Sequence, residues 1–206
     1  MTFFNLSVPI LRRKEWTFKN QTHEKLLEIK VKIKQKTLFS SVYTCIDQAF
    51  ILWGLISAAI FFTAQFFPIS WITQAIIWSG VSLIATLGMI ILTYNWAKKE
   101  NLRWLLYCWA VLMTAGVIVT DSGIFLGWSW VLMNLSHLWL GLSVIGYILT
   151  GWGMRSRAFF IAAVLHFLGM AILPLVMGWQ FLTTGLIMML NLLVFAQTQW
   201  DDYGCH

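Results

Sequence analysis

The placement of the fourteen Lys and Arg residues constrains this 206-residue chain more than any other feature. Six long apolar runs, at 45–66, 71–96, 102–120, 130–152, 158–177 and 180–197, have the roughly 20-residue length that a helix needs to cross a hydrocarbon core. Nine basic residues precede the first run, three gather around the second-to-third connection and two lie between the fourth and fifth. With six spans these places share one side of a membrane, and short basic loops are retained on the cytoplasmic side. The pattern predicts an all-α integral membrane protein with six transmembrane helices in sequential antiparallel hairpins. Both termini are expected in the cytoplasm.

Composition agrees with that reading. Residues are 59% hydrophobic and only 11% charged, and the mean hydropathy is +0.75, a balance that a soluble domain of this length cannot bury in one core. The expected organisation is a basic arm at 1–44, a six-helix domain at 45–198 and a cytoplasmic tail at 199–206. The net charge of +6 follows from the cytoplasmic loops, so the expected partners are anionic headgroups and other membrane subunits, with no nucleic acid. Cys45, Cys108 and Cys205 form no CxxC pair and read as ordinary thiols. The apolar stretch 3–11 precedes Arg12-Arg13-Lys14, the reverse of signal-peptide order, so no cleavable leader is expected.

The arm carries the sequence Leu27-Glu28-Ile29-Lys30-Val31-Lys32-Ile33-Lys34. This alternation matches a strand better than an amphipathic helix, and a lone strand wants a partner edge. Lys25, Lys30, Lys32, Lys34 and Lys36 are the candidate contacts to a partner or to lipid. Trp71, Trp128, Trp130 and Trp179 at the outer boundary, with Trp96, Trp104, Trp152 and Trp200 at the inner one, form an aromatic belt. Trp53, Trp78, Trp109 and Trp139 lie deeper, where they face lipid, pack between helices or meet a flat ligand such as a pigment or quinone. Gly54 with Ala58, Gly80 with Gly88, and Ala162 with His166 and Gly169 mark expected packing faces. Pro174 is expected to kink the fifth span near Met170.

Ionisable groups inside a membrane are costly and point to function. Well inside the runs these are His137, about 9 Å below the outer boundary, and His166, near mid-membrane, at 1.5 Å per residue. They are the candidate axial ligands for a haem or a chlorophyll-type pigment. Their offset in depth opposes a haem clamped between both, because neighbouring helices stand only about 8–10 Å apart. The plainer reading pairs His166 with Asn191 at matching depth, and His137 with Asn134 or Asp121. Enzyme patterns fail: no HExxH is present, and Asp121-Ser122-Gly123 lacks the setting of a nucleophile. With Asp47 at the inner end of the first span and Asp121 in the outer loop 121–129 at the end of the third, no carboxylate lies well inside a span for coupled transport. The expectation is a non-enzymatic accessory, assembly or scaffold subunit of a larger complex in a bacterial inner or energy-transducing membrane. A cofactor carrier using His137 or His166 is one alternative. A small-solute transporter or channel, with Asn134, His137 and Asn191 on a water-lined cavity, is the other.

Overall fold

The computed structural model describes residues 4, 7–14, 27–33 and 36–201, with the backbone alone described for 27–33 and 36–42. In chain order the elements are β1 (Leu11–Arg13), β2 (Leu27–Ile33), β3 (Lys36–Tyr43), α1 (Cys45–Phe66), α2 (Trp71–Lys99), α3 (Arg103–Phe125), α4 (Ser129–Met133), α5 (Leu135–Met154), α6 (Arg157–Ile172), a 3-10 turn Leu173–Val176, α7 (Gln180–Gln197) and β4 (Thr198–Trp200). Six of the helices, counting α6 together with its 3-10 turn, are long and apolar enough to span a membrane. Their outward surface carries large apolar side chains such as Ile84, Ile91 and Leu175, each at least 70% exposed. That surface suits a bilayer and fits a multi-pass membrane protein.

The alternating arm is a strand, and its partner edge comes from the same chain. β2 pairs antiparallel with β3 from Leu27↔Tyr43 to Ile33↔Lys36, with an irregularity between Val31 and Lys32. β3 runs almost directly into α1 through Thr44. There the Thr44 hydroxyl accepts from the Asp47 backbone N–H and the Asp47 carboxylate accepts from the Thr44 N–H, a reciprocal cap that fixes the hairpin's exit onto the bundle.

Sequential hairpins describe only part of the packing. Each span touches its neighbours in sequence, but the most extensive pairing is α1 with α7, followed by α5 with α6 and α2 with α3. The last span therefore returns along the first and closes the bundle. Gln65 ties this seam at one end: its Nε2 donates to Gly178 O at 2.8 Å, and its Oε1 accepts from Leu182 N at 3.3 Å. At the other end Lys14 forms an ion pair with buried Asp47, in the first turn of α1. Its Nζ also donates to Ala196 O at 2.7 Å, near the C-terminus of α7, where a cation meets the negative end of the helix dipole.

The strands that precede α1 and follow α7 meet at this same end. β1 pairs antiparallel with β4, Leu11↔Trp200 to Arg13↔Thr198, and Asp201 N donates to Ile10 O. The start of the tail is thus held through Asp201; residues 202–206, including Cys205, lie outside the described residues. The buried Asp201 carboxylate accepts from Ser156 Oγ, Arg157 N and Nε, and Ala158 N. Ser156, the N-cap residue of α6, makes no side-chain cap of its own, so a carboxylate 45 residues away supplies it. Arg157 also donates through Nη2 to Val8 O, completing a polar knot beneath the helices.

Three local expectations change. α3 continues to Phe125, so Asp121 lies in its last turns and not in a loop. The fourth run is broken: the Asn134 side chain takes Trp130 O at 2.8 Å, competing with the helix for a backbone carbonyl, and α4 ends before α5 begins. Pro174 tightens the end of α6 into the 3-10 turn, with α6 itself regular through Ile172. Replacing Asp201 by Ala leaves Arg157 without its anion and α6 without its cap. The expected loss is roughly 3 kcal/mol in thermal unfolding of the detergent-solubilised chain, with Asp201→Asn falling between variant and wild type.

Candidate functional site

The packing of α1, α2, α3, α5 and α7 leaves a cavity of about 120 Å³ in the half of the bundle nearer the knot. Its wall is aromatic and sulfur-rich. Phe50, Trp53, Trp96, Trp109 and Tyr147 face it, along with Met89, Met113, Met154 and Met188. Trp109 is held in place across α3 and α5: its Nε1 donates to Thr150 Oγ1 at 2.9 Å, and its ring meets Tyr147 edge-on at 5.5 Å. Gly146 makes this fit possible, because a Cβ there would lie 2.4 Å from the Trp109 ring.

The cavity's polar lining falls into two groups. Thr93, Ser143 and Thr150 donate to the carbonyls of Met89, Trp139 and Gly146, four residues back on their own helices, which satisfies a hydroxyl in apolar surroundings. Trp53, Ser57 and Tyr147 do not. The Trp53 Nε1 is buried with no partner, and the hydroxyls of Ser57 and Tyr147 have none among the described residues. An indole N–H cannot turn back onto its own helix, so the Trp53 donor stays buried and unbonded.

The two histidines stand apart from this cavity. His166 is fully buried on α6, with its ring 4.9 Å from Tyr147, so Tyr147 separates it from the open space. Its Nδ1 lies 2.9 Å from Ala162 O and 3.4 Å from Asn191 Nδ2. The carbonyl can only accept, so Nδ1–H donates to it, Asn191 is a close neighbour and not the main partner, and Nε2 keeps a buried lone pair with nothing to accept from. His137 is half-buried, and its Nδ1 bonds neither Asn134 nor Asp121. Asn134 is occupied by Trp130 O, and Asp121 by Ser79 Oγ at 2.8 Å. Neither His lines the central cavity, nor do Asn134 and Asn191. Among the described residues no group of three His, Cys, Asp or Glu stands where it could hold a metal.

A second, smaller cavity of about 70 Å³ opens at the end away from the knot, beside Gln74, Ser79, Thr120 and Asp121. Thr120 Oγ1 is buried there without a partner. Trp78 and Trp139 line this cavity, and Trp53 and Trp109 line the central one, so the four deep Trp residues all border open space. Residue types drew attention to these positions in the sequence, but the cavities depend on helix rotations that one sequence does not specify. Tyr147 and Ser57 were missed. On sequence alone they are an ordinary aromatic and an ordinary small residue.

Of the candidate lysines, Lys30 and Lys32 lie in β2 and Lys36 opens β3, whereas Lys25 and Lys34 fall outside the described residues. Gly54 meets Leu192 and Met189 of α7 as a packing glycine should, but a Cβ on Gly80 or Gly88 would meet nothing, so those two do not form a helix contact. Gly146→Ala is expected to push the Trp109 indole off Thr150, costing about 1–3 kcal/mol in thermal unfolding and changing the tryptophan emission. Gly80→Ala is expected to be neutral or to stabilise by up to about 1 kcal/mol. Comparison with family models, with curated proteins and with solved structures finds no match.

Proposed function

We propose that this chain is a non-enzymatic accessory subunit of a larger membrane protein complex, docking through its N-terminal hairpin onto an extended acidic segment of a partner subunit at the cytoplasmic face. The observation that carries this reading is the hairpin itself. Its contact with the bundle is concentrated where β3 runs into α1, and the Thr44–Asp47 cap holds it there. A two-stranded hairpin is marginal on its own in water, and each strand keeps an edge of backbone groups that a further strand satisfies. β2 carries Lys30 and Lys32, and Lys36 opens β3, charges that suit an acidic strand.

The rest of the molecule fits a supporting part. Its central cavity is walled by apolar and aromatic groups, and the buried ion pairs lie in the knot, where they fix one end of the bundle. The distribution of Lys and Arg supports a cytoplasmic position for that end, in a membrane read as a bacterial inner or energy-transducing one.

Purification of the full chain from its native membrane in mild detergent, after cross-linking from β2, tests the proposal. The expected result is a stoichiometric membrane partner joined to β2. It should fall at least tenfold with Lys30→Glu/Lys32→Glu while the melting temperature of the bundle is unchanged. A lone chain, or a partner retained in full by that variant, overturns it. Flotation with anionic liposomes completes the test: a variant that loses lipid binding but keeps its partner assigns the lysines to headgroups instead.

A further inference from the structure

We infer that the smaller cavity, at the end of the bundle away from the knot, is a binding site for one alkali-metal cation held by Asp121, Gln74 and Ser79. The ligand class follows from charge, donor atoms and size. Asp121 stands in the last turns of α3, and its Oδ1 accepts from Ser79 Oγ on α2 at 2.8 Å. Its Oδ2 has no partner among the described residues and is not one of the enclosed unpartnered atoms, so this oxygen keeps open surface. No cation of the bundle answers it. Among the described residues every Lys and Arg lies before α1 or at the α2–α3 and α5–α6 turns, where the chain is at the end that carries the knot. A carboxylate at the margin of a hydrocarbon region is costly to keep ionised without a counter-charge, and here that charge comes from outside the chain.

The neighbouring groups supply oxygens. Gln74 lines the same space and is only 6% exposed. Its Nε2 donates to Ile69 O at 2.9 Å, which fixes the amide and leaves Oε1 as the free end. That Oε1 likewise has no partner among the described residues and is not an enclosed atom. Ser79 gives its proton to Asp121 and keeps its lone pairs. A carboxylate, an amide oxygen and a hydroxyl are the ligand set of hard cations. The volume of about 70 Å³ holds a small ion with one or two waters at roughly 30 Å³ each, and leaves no room for a quaternary ammonium. One carboxylate balances one positive charge, and no second Asp or Glu lines the cavity, so a divalent ion would keep excess charge there. The bound ion joins α2, through Gln74 and Ser79, to α3, through Asp121.

The test follows thermal unfolding of the full chain in a nonionic detergent while NaCl or KCl replaces choline chloride at constant ionic strength. Choline carries the same charge but does not fit. A saturable rise in melting temperature is expected with the alkali ion, about 3–6 °C at ten times its Kd for a chain of this size. Asp121→Asn, which keeps an acceptor for Ser79, is expected to retain a cooperative transition in choline and to lose the response to Na+ and K+. Gln74→Met, of similar length, is expected to raise the Kd by about three- to tenfold, the worth of one polar contact. Equilibrium dialysis with radioactive sodium gives a readout independent of melting: one ion per wild-type chain and none on Asp121→Asn. Equal melting in all three salts with no sodium retained overturns the proposal. So does an alkali-ion response that survives in Asp121→Asn, since the ion then sits elsewhere. Should Asp121→Asn fail to fold, an unchanged Kd in Gln74→Met overturns the site. CaCl2 acting at lower concentration than NaCl, and lost with Asp121, overturns the monovalent assignment.

Discussion

In hydrocarbon a polar group has only the protein to bond with, and that constraint organises most of what is specific about this bundle. Thr86, Thr93, Ser143 and Thr150 turn back onto carbonyls of their own helices, and Gln74 reaches back to Ile69 O. Where no local bond is possible a distant one is made. Gln65 serves two backbone groups of the α6–α7 connection and α7, and Trp109 crosses from α3 to α5. These bonds set rotations and heights that side-chain volume alone would leave loose, since lipid is as apolar as the helices and gives them little hydrophobic reason to associate.

The same constraint explains the knot. Helix termini expose unsatisfied backbone groups, and here the loops are too short to cap them all. Distant segments are brought in: Asp201 caps α6, and Lys14 serves the end of α7 while neutralising Asp47, which caps α1 with Thr44. Because Lys14 precedes α1 by some thirty residues and Asp201 follows α7, the first and last spans are joined by chain segments as well as by their long seam. A hairpin mounted on that seam is placed firmly, even though its own two strands are weak.

How much of this was legible depended on whether the signal was periodic or pairwise. Hydrophobic runs and basic loops repeat along the chain, so the six long helices are readable from the sequence, and the alternation of Leu27 to Ile33 marked a strand. Which helix meets which is a pairwise fact. α1 with α7 was not legible, because loop lengths constrain only consecutive spans. Asp201 looked like part of a loose tail because its partners, Ser156 and Arg157, lie far off in sequence. Asn134 read as an intramembrane contact because an amide in an apolar run has that meaning in general. It breaks its helix because the nearest acceptor was the Trp130 carbonyl one turn back. His166 and Asn191 are brought together as their depths suggested, yet the closer Ala162 carbonyl takes the proton.

Unspent polarity is therefore the most informative residue of the accounting. Among the described residues, Trp53, Thr120, Ser136, His137, His166 and Thr184 each keep a buried polar atom without a partner. Thr184 and His166 are fully enclosed residues. Thr120 belongs to the wall of the smaller of the two cavities described above and Trp53 to that of the larger. A serine or threonine at that depth would bond a carbonyl of its own helix, as Thr93, Ser143 and Thr150 do; the indole of Trp53 has no such route and keeps its N–H buried and unbonded.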